Sequence, residues 1–188
     1  MFDIDHFLDD CQAARAETEP HRAMREVMAR ALDRPGEVAA TLRPTEGGIT
    51  ILHNAADLTV LHIVWAPRMR LYPHDHRMWA TIGIYTGLED NSFYRRSGPR
   101  RRTLTGSGGK TLGVGEVLAL GDDTIHAVAN PEAKLTGAIH VYGGDFVNEP
   151  RSQWGPGPLD ERPYDLDEAR RQFAEANEAW LGASPPPT

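Results

Sequence analysis

The stretch that decides the fold and the site is Pro73-His74-Asp75-His76-Arg77-Met78-Trp79-Ala80-Thr81-Ile82-Gly83-Ile84-Tyr85. On an extended segment, residues two apart point to the same side. We therefore expect His74 and His76 to face one side and Asp75 the other. Two neutral imidazoles at close range suit a borderline divalent metal such as iron, zinc, copper or nickel. A His-x-His pair is equally compatible with ordinary surface or core histidines, so the pair alone does not establish a metal site.

Short runs rich in Val, Ile, Thr and aromatic residues surround this stretch, separated by Gly and Pro. Many short strands at close spacing predict a β sandwich or barrel rather than a parallel α/β sheet. The predicted strands are Ile49–Leu52, Leu58–Trp65, Met69–Tyr72, Trp79–Tyr85, Asn91–Arg95, Lys110–Val114, Val117–Leu120, Ala127–Ala129 and Leu135–Tyr142.

Both ends of the chain have helical periodicity. Apolar residues recur at three-to-four spacing near the start, and Pro20 suits the first position of a second helix that ends before Asp33-Arg34-Pro35-Gly36. A further helix is predicted from Asp165 or Asp167 to Leu181. We expect one domain over residues 1–188, organised as a helical segment 1–40, a β-barrel core 48–151, a C-terminal helix 165–181 and a frayed tail 183–188.

The composition narrows the class of protein. The 188 residues contain 40% hydrophobic and 25% charged residues, which is typical of a soluble globular protein. The formal net charge of −7 argues against binding to a nucleic-acid backbone. No secretory signal or membrane-spanning run is visible, and Cys11 alone can form neither an intramolecular disulfide nor a Cys-rich zinc site. These features predict a cytoplasmic protein without a membrane or nucleic-acid partner.

A basic cluster runs from Arg95 to Arg102 and contains a Gly-Pro turn signal. It can be an exposed hairpin loop or an anion-binding patch. The flanking hairpin pattern and the acidic character of the rest of the chain favour the loop.

A third histidine strengthens the prediction of a metal site. His126 lies near the start of a predicted strand, after the glycine-punctuated hairpin that begins at Gly115. In a closed β structure this strand can lie beside the one that carries His74 and His76. Three converging imidazoles would leave coordination positions open for a substrate, as in catalytic rather than structural sites.

His140 and Tyr142 share one face of a predicted strand. They can form a hydrogen-bonded pair that donates a proton or orients oxygen, or an ordinary packing pair. Of the other histidines, His53 and His62 are interpreted as structural, and His6 and His21 as surface residues of the N-terminal helices.

Three segments together resemble the cysteine dioxygenase-type proteins, which are thiol dioxygenases of the cupin superfamily. Pro73–His76, followed by Trp79, Ile82–Ile84 and Gly87-Leu88-Glu89, resembles their first motif. Gly115 to Asn130 resembles the second cupin motif, and His140-Val141-Tyr142-Gly143-Gly144 resembles the family's Ser-His-Tyr segment. The similarity covers about Ile49 to Arg151 and is closer to the bacterial 3-mercaptopropionate dioxygenase-like branch.

The resemblance implies a mainly β cupin jelly-roll barrel that holds Fe(II) through His74, His76 and His126. It implies oxidation of an iron-bound thiolate by dioxygen to a sulfinic acid, with Tyr142 hydrogen-bonding oxygen or substrate and His140 orienting Tyr142. Residues 77–82 contain no glutamate, which favours the three-histidine pattern over the commoner cupin site. Zn, Ni or another first-row metal can occupy such a site in the isolated protein.

Three departures from the family pattern bear on activity. Ala138 replaces the serine of the triad, and Ala80 or Thr81 stands where the animal enzymes have a cysteine that crosslinks to the tyrosine. His53 stands where the cysteine enzymes have a carboxylate-binding arginine. Arg151 stands at about the distance at which mercaptopropionate-type enzymes place theirs, and can clamp a carboxylate or lie on the surface.

We therefore predict an iron-dependent thiol dioxygenase whose partners are a small carboxylated thiol and dioxygen, in a monomer or homodimer. Two alternatives remain open at this point. One is a cupin metalloenzyme with a different substrate, and the other is a non-enzymatic cupin that binds a small molecule.

Overall fold

The computed structural model describes residues 1–98, 103–155 and 160–183, and contains four helices and eleven strands within these ranges. The helices are α1 (Ile4–Arg15), α2 (Pro20–Leu32), α3 (Pro35–Leu42) and α4 (Leu166–Gly182). The strands are β1 (Gly48–Ala55), β2 (Leu58–Trp65), β3 (Arg70–Asp75), β4 (Ala80–Thr86), β5 (Glu89–Ser97), β6 (Thr103–Leu112), β7 (Val117–Leu120), β8 (Ile125–Ala129), β9 (Thr136–Tyr142), β10 (Ser152–Trp154) and β11 (Glu161–Pro163). Ser184–Thr188 of the predicted tail and Pro99–Arg102 of the basic cluster lie outside the described residues.

The strands form two antiparallel sheets, in the orders β1-β2-β9-β4-β7 and β11-β10-β3-β8-β5-β6. Four pairs run through the fold: β2 with β9, β3 with β8, β4 with β7 and β5 with β6. Successive pairs alternate between the two sheets. The first half of the barrel therefore lies antiparallel along the second half, and the two wind together as a double-stranded β-helix. The predicted jelly-roll barrel with flanking helices is confirmed.

The first sheet is covered on both faces, which explains why every residue of β2 and β9 is buried. Its inner face packs against the second sheet, with Leu61, Ile63 and Trp65 from β2 in this core. Its outer face packs under the N-terminal helices, with Val60 and Val141 against Met28 and its helical neighbours. The barrel interior, where the inner faces meet, is the location of the candidate site.

The close packing of this sheet leaves no room at Gly137 in β9. A Cβ there would overlap the phenol ring of Tyr85, which is buried and hydrogen-bonded through its hydroxyl to Nε2 of His62 at 2.6 Å. We expect Gly137→Ala to lower the free energy of unfolding by about 1–3 kcal/mol, the usual cost of overpacking a core. Urea denaturation measures this, with Gly48→Ala in β1 as the control because a Cβ there meets nothing within 4 Å.

The helical ends agree with the sequence pattern apart from one additional helix. Pro20 is the first residue of α2, as predicted, and Asp165 caps α4 by accepting from the amides of Asp167 and Glu168. The segment expected only to end α2 also starts α3, since Pro35 occupies the first position of a new helix. Helix α4 closes one side of the barrel, where Phe173 stacks on Trp65 with ring centroids 5.3 Å apart.

The largest differences from the predicted strands are in β3, β6, β10 and β11. β3 continues through Pro73 to Asp75, because an irregularity in its pairing with β8 between Leu71 and His74 accommodates the proline. β6 begins at Thr103 rather than Lys110, and its glycine-rich first half is held by pairing with β5. β10 and β11 are too short to give a sequence pattern.

None of the helices in the described part of the chain is long and apolar enough to cross a bilayer.

Candidate metal centre

The pairing of β3 with β8 brings the three predicted ligands together. His74 and His126 are direct partners across this pair, although 52 positions separate them in the sequence. His76 follows β3 immediately and lies on the same side as His74. The alternation expected for the His-Asp-His tripeptide is therefore the one observed.

The three imidazoles form a nearly equilateral triangle inside the barrel. Ring centroids are 5.1 Å apart for His74 and His76, 4.8 Å for His74 and His126, and 4.9 Å for His76 and His126. One nitrogen from each ring lies within 4.8 Å of the other two, and all three residues are buried. This group could hold a metal ion.

Hydrogen bonds orient two of the rings. Nδ1 of His126 donates to Oδ1 of Asn91 at 2.7 Å, and Nδ1 of His74 donates to the carbonyl of Tyr72 at 2.9 Å. With Nδ1 protonated in each, Nε2 keeps its lone pair for a metal. Nδ1 of His76 has no partner in the described part of the chain, and its ring is held by packing, including an edge contact with Tyr142 at 5.0 Å.

Burial keeps the three imidazoles neutral at neutral pH. It lowers the pKa of His74 to about 4. It also lowers the pKa of His76 well below the ordinary value, with the neighbouring His126 acting in the same direction, and it lowers the pKa of His126 similarly. Neutral imidazole is the form that binds metals.

The separation of two of the ring nitrogens matches that of two ligands on one first-row divalent ion. Nε2 of His126 and Nε2 of His76 are 3.2 Å apart. Two nitrogens each about 2.0–2.1 Å from one ion, at angles between octahedral and tetrahedral, are separated by about 2.8–3.4 Å. No carboxylate joins the triangle in the described residues, so its donors are three neutral nitrogens. Such a set suits iron, zinc, copper or nickel better than calcium or magnesium.

Asp75 faces away from the triangle and holds a neighbouring strand. Its Oδ1 accepts from the backbone amide of Ser152, the first residue of β10, at 2.7 Å. Its Oδ2 pairs with Nε of Arg77 at 2.8 Å and Nη2 of Arg96 at 3.1 Å. Arg96 also pairs with Glu161 at 2.7 Å. This arginine of the basic cluster therefore lies in β5 as part of an ion-pair network, rather than in the exposed loop favoured from the sequence.

His140 and Tyr142 lie on one face of β9 and form a hydrogen-bonded pair, with 3.1 Å between Nδ1 and Oη. Of the two possibilities left open, the pair is thus more than a packing contact. Burial raises the pKa of Tyr142, so its phenol stays protonated at neutral pH. Ala80 in β4 is the cross-strand partner of Tyr142, in the region where the crosslinking cysteine of the animal enzymes would lie.

Glu89 lies beside the ring nitrogen of His140 that does not face Tyr142. Its Oε2 lies 3.4 Å from Nε2 of His140 and accepts from Nε1 of Trp65 at 2.6 Å. Its Oε1 accepts from Nδ2 of Asn91 at 3.0 Å. Burial alone would raise the pKa of Glu89, but these hydrogen bonds outweigh it and the pKa lies below its ordinary value. Neither Glu89 nor Asn91 is predicted from the sequence to take part in the site.

Arg151 is buried beside the triangle, not on the surface. Only 7% of the residue is exposed, and its guanidinium lies between the rings of Phe146 and Tyr164, at 3.9 and 4.0 Å from their centroids. These two rings contact His76 and His74 respectively, each with centroids 5.8 Å apart. Arg151 forms no ion pair with a carboxylate of the described residues, and its buried Nε has no hydrogen-bond partner among them.

A cavity of about 20 Å³ lies within the barrel, lined by His74, His126, His140 and Tyr142 together with apolar side chains. That volume holds about one water molecule. A larger ligand therefore requires the lining to open, and Tyr164, which comes from the segment after β11, is part of that lining.

His62, His21, His53 and Cys11 all lie outside the histidine triangle. His62 is buried and bonded to Tyr85, His21 stacks on Trp79 with centroids 5.4 Å apart, and His53 lies in β1 on the far side of β2 from β9. Cys11 is buried, and burial raises the pKa of its thiol to about 12, so it packs as a small apolar side chain rather than serving as a thiolate nucleophile.

No protein-family model matches the sequence. Similar solved structures include an RmlC-like cupin family protein from Methanocaldococcus jannaschii, at 11% identity over 55% of this chain and 84% of that chain, with a TM-score of 0.46. A cupin superfamily protein from Desulfitobacterium hafniense has 14% identity over 57% and 88%, with a TM-score of 0.46. A Cupin 2 conserved barrel domain protein from Salinispora arenicola has 18% identity over 50% and 72%, with a TM-score of 0.40.

At these identities and TM-scores the likeness carries no argument about activity. The assignment of the fold rests on the strand pairing, and the assignment of the candidate metal centre rests on the three histidines.

Proposed function

We propose that the protein is an Fe(II)-dependent thiol dioxygenase that oxidises a small carboxylated thiol, of the cysteine or 3-mercaptopropionate type, to its sulfinic acid. The observation that carries the proposal is a buried triangle of three neutral histidines beside Arg151, a buried cation without a carboxylate partner among the described residues. Three neutral ligands would leave the full charge on a bound metal ion. A group that can bind an anion lies beside them in the barrel interior.

His74, His76 and His126 would hold the iron. When bound, ferrous iron supplies a dication that favours the thiolate form of the substrate and the redox chemistry that dioxygen requires. The overall reaction is RSH + O2 → RSO2H. The sulfur loses the four electrons that dioxygen gains, so no external reductant is needed.

Arg151 binds the substrate carboxylate in this proposal. Its guanidinium offers a planar set of donors that matches a carboxylate in bidentate geometry. Phe146 and Tyr164 hold the group from both faces and exclude water around it, which strengthens an ion pair formed there.

In the proposed reaction Tyr142 forms a hydrogen bond with oxygen or substrate, and His140 orients Tyr142. The phenol is buried, protonated and held by the imidazole, so it provides a fixed polar group next to the histidine triangle. A preorganised dipole of this kind stabilises charge that develops during reaction without reorganising at that moment.

The test is dioxygen uptake by protein reconstituted with Fe(II), with iron content verified, across 3-mercaptopropionate, cysteine and cysteamine. We expect one dioxygen consumed per thiol with the two carboxylated compounds, and at most slow uptake with cysteamine, which has no carboxylate. No uptake with any thiol would contradict the proposal. Saturable thiol binding without uptake would instead favour a binding protein, and metal-dependent activity on an unrelated compound would favour another metalloenzyme.

A further inference from the structure

A continuous chain of buried hydrogen bonds connects the candidate metal ligand His126 to the His140–Tyr142 pair. It runs from His126 to Asn91 at 2.7 Å, from Asn91 to Glu89 at 3.0 Å, and from Glu89 to His140 at 3.4 Å. Each of these four residues is at most 2% exposed. Glu89 lies in the middle of this hydrogen-bond chain and its side chain forms hydrogen bonds with Trp65, Asn91 and His140 rather than with a predicted ligand.

We propose that Glu89 is a positioning residue that, through Asn91, fixes the tautomer of His126 in which Nε2 is free to bind a metal ion. The inference deepens the proposed function and rests on its metal-binding part, not on the identity of the thiol.

Donor and acceptor chemistry fixes the direction of these hydrogen bonds. A carboxylate has only acceptors, so the atom of Asn91 that faces Oε1 of Glu89 must be the amide nitrogen. The carbonyl oxygen of Asn91 then faces His126, and it can only accept. Nδ1 of His126 must therefore carry the proton, and Nε2 keeps its lone pair. Nε2 is also the atom 3.2 Å from Nε2 of His76, where a shared ion would lie.

Replacing Glu89 with glutamine reverses the donor and acceptor roles along the hydrogen bonds from residue 89 to His126, and it keeps the shape of the side chain. Trp65 can only donate, so the amide oxygen of the new side chain must stay on the Trp65 and His140 side. Its NH2 group then faces Asn91, which must turn its own amide over. The NH2 of Asn91 would now face Nδ1 of His126, which must accept, and the proton moves to Nε2.

We expect Glu89→Gln to weaken Zn(II) binding by about 10–100-fold, the range for loss of a group that orients a metal ligand. The measurement is a competition titration with Zn(II) alone, without thiol or dioxygen. Asp90→Asn is the matched control, because it removes the same charge one residue away. Asp90 accepts from Oγ1 of Thr111 rather than joining the chain, so this variant should bind Zn(II) as the parent does.

The swap variant Glu89→Gln/Asn91→Asp separates this role from general packing. Its glutamine NH2 faces an aspartate oxygen, and the second aspartate oxygen accepts from Nδ1 of His126. The original tautomer, net charge and side-chain shapes are restored, so we expect Zn(II) affinity close to that of the parent. We also expect the metal-free swap variant to melt at a higher temperature than Asn91→Asp alone, in which the carboxylate of Glu89 would face a second carboxylate.

Parental Zn(II) affinity in Glu89→Gln would overturn the proposal, as would a swap variant that fails to fold or binds no better than Glu89→Gln. If Glu89→Gln alone does not fold, a folded swap variant with parental affinity supports it. The result is independent of the thiol reaction. If the parent protein binds Zn(II) in the way described but takes up no dioxygen with any thiol, the dioxygenase proposal is refuted and the proposed role of Glu89 is not.

Discussion

Replacing His126 with alanine is expected to remove most of the bound metal from the protein. His126 is fully buried, lies opposite His74 across the β3–β8 pair and contributes one of only three nitrogens in the triangle. Two imidazoles hold a divalent ion far less tightly than three, and the loss should exceed the roughly 10–100-fold that removal of a supporting hydrogen bond costs. Elemental analysis after reconstitution with Fe(II) or Zn(II) measures the effect.

Thermal unfolding provides a second readout of the same variant. At a metal concentration 100 times the Kd, a bound ion stabilises the folded state by about 2.7 kcal/mol, which raises Tm by roughly 5–10 °C for a chain of this size. The parent should show this rise and His126→Ala should not.

His62→Ala is the control for the loss of a buried imidazole. His62 is bonded to Tyr85, outside the triangle, so its replacement should lower stability without lowering metal content. Full metal content in His126→Ala would contradict the ligand assignment.

Replacing Arg151 with methionine is expected to lower kcat/KM for a carboxylated thiol by about 30–1,000-fold. Loss of one partner of a buried, hydrogen-bonded charge pair costs roughly 2–4 kcal/mol, which corresponds to this range. Methionine has a similar length and no charge, so it can still occupy the space between Phe146 and Tyr164. Steady-state dioxygen uptake measures the change.

The diagnostic quantity for Arg151→Met is the preference for 3-mercaptopropionate over cysteamine. It should collapse in Arg151→Met and fall less in Arg151→Lys, which keeps the charge but not the planar fork. Arg162→Met is the matched control, because Arg162 pairs with Glu168 at 2.7 Å and is partly exposed. An unchanged preference in Arg151→Met would show that the carboxylate binds elsewhere.

The sequence predicted most of the strands and the shared face of His74 and His76, because both depend on short, periodic patterns. The His-x-His pair follows from strand alternation alone. That His126 lies opposite His74 could be proposed only as a possibility of a closed β structure, since the register between distant strands is set by packing rather than by a local pattern.

The parts that the sequence did not predict depend on contacts between distant segments. Glu89 and Asn91 carried a weak signal, two polar residues at alternate positions at the start of a strand, but burial distinguishes them from a solvated edge. Arg151 was left between a carboxylate clamp and a surface residue, because its burial depends on aromatic rings from two other segments.

The carboxylate of Asp75, which faces away from the histidine triangle, has a consequence for the size of ligand that the site accepts. It accepts a hydrogen bond from the amide of Ser152, and this bond connects the strand of His74 to the residue next to Arg151. The distance between the candidate metal site and the guanidinium is therefore set by the pairing of β3 with β10 rather than by a free loop. A fixed distance of this kind would select ligands by their length. A thiol acid that is one methylene longer or shorter would not reach the candidate metal site and Arg151 together without strain. A difference of one methylene usually changes the free energy of binding by about 1–3 kcal/mol.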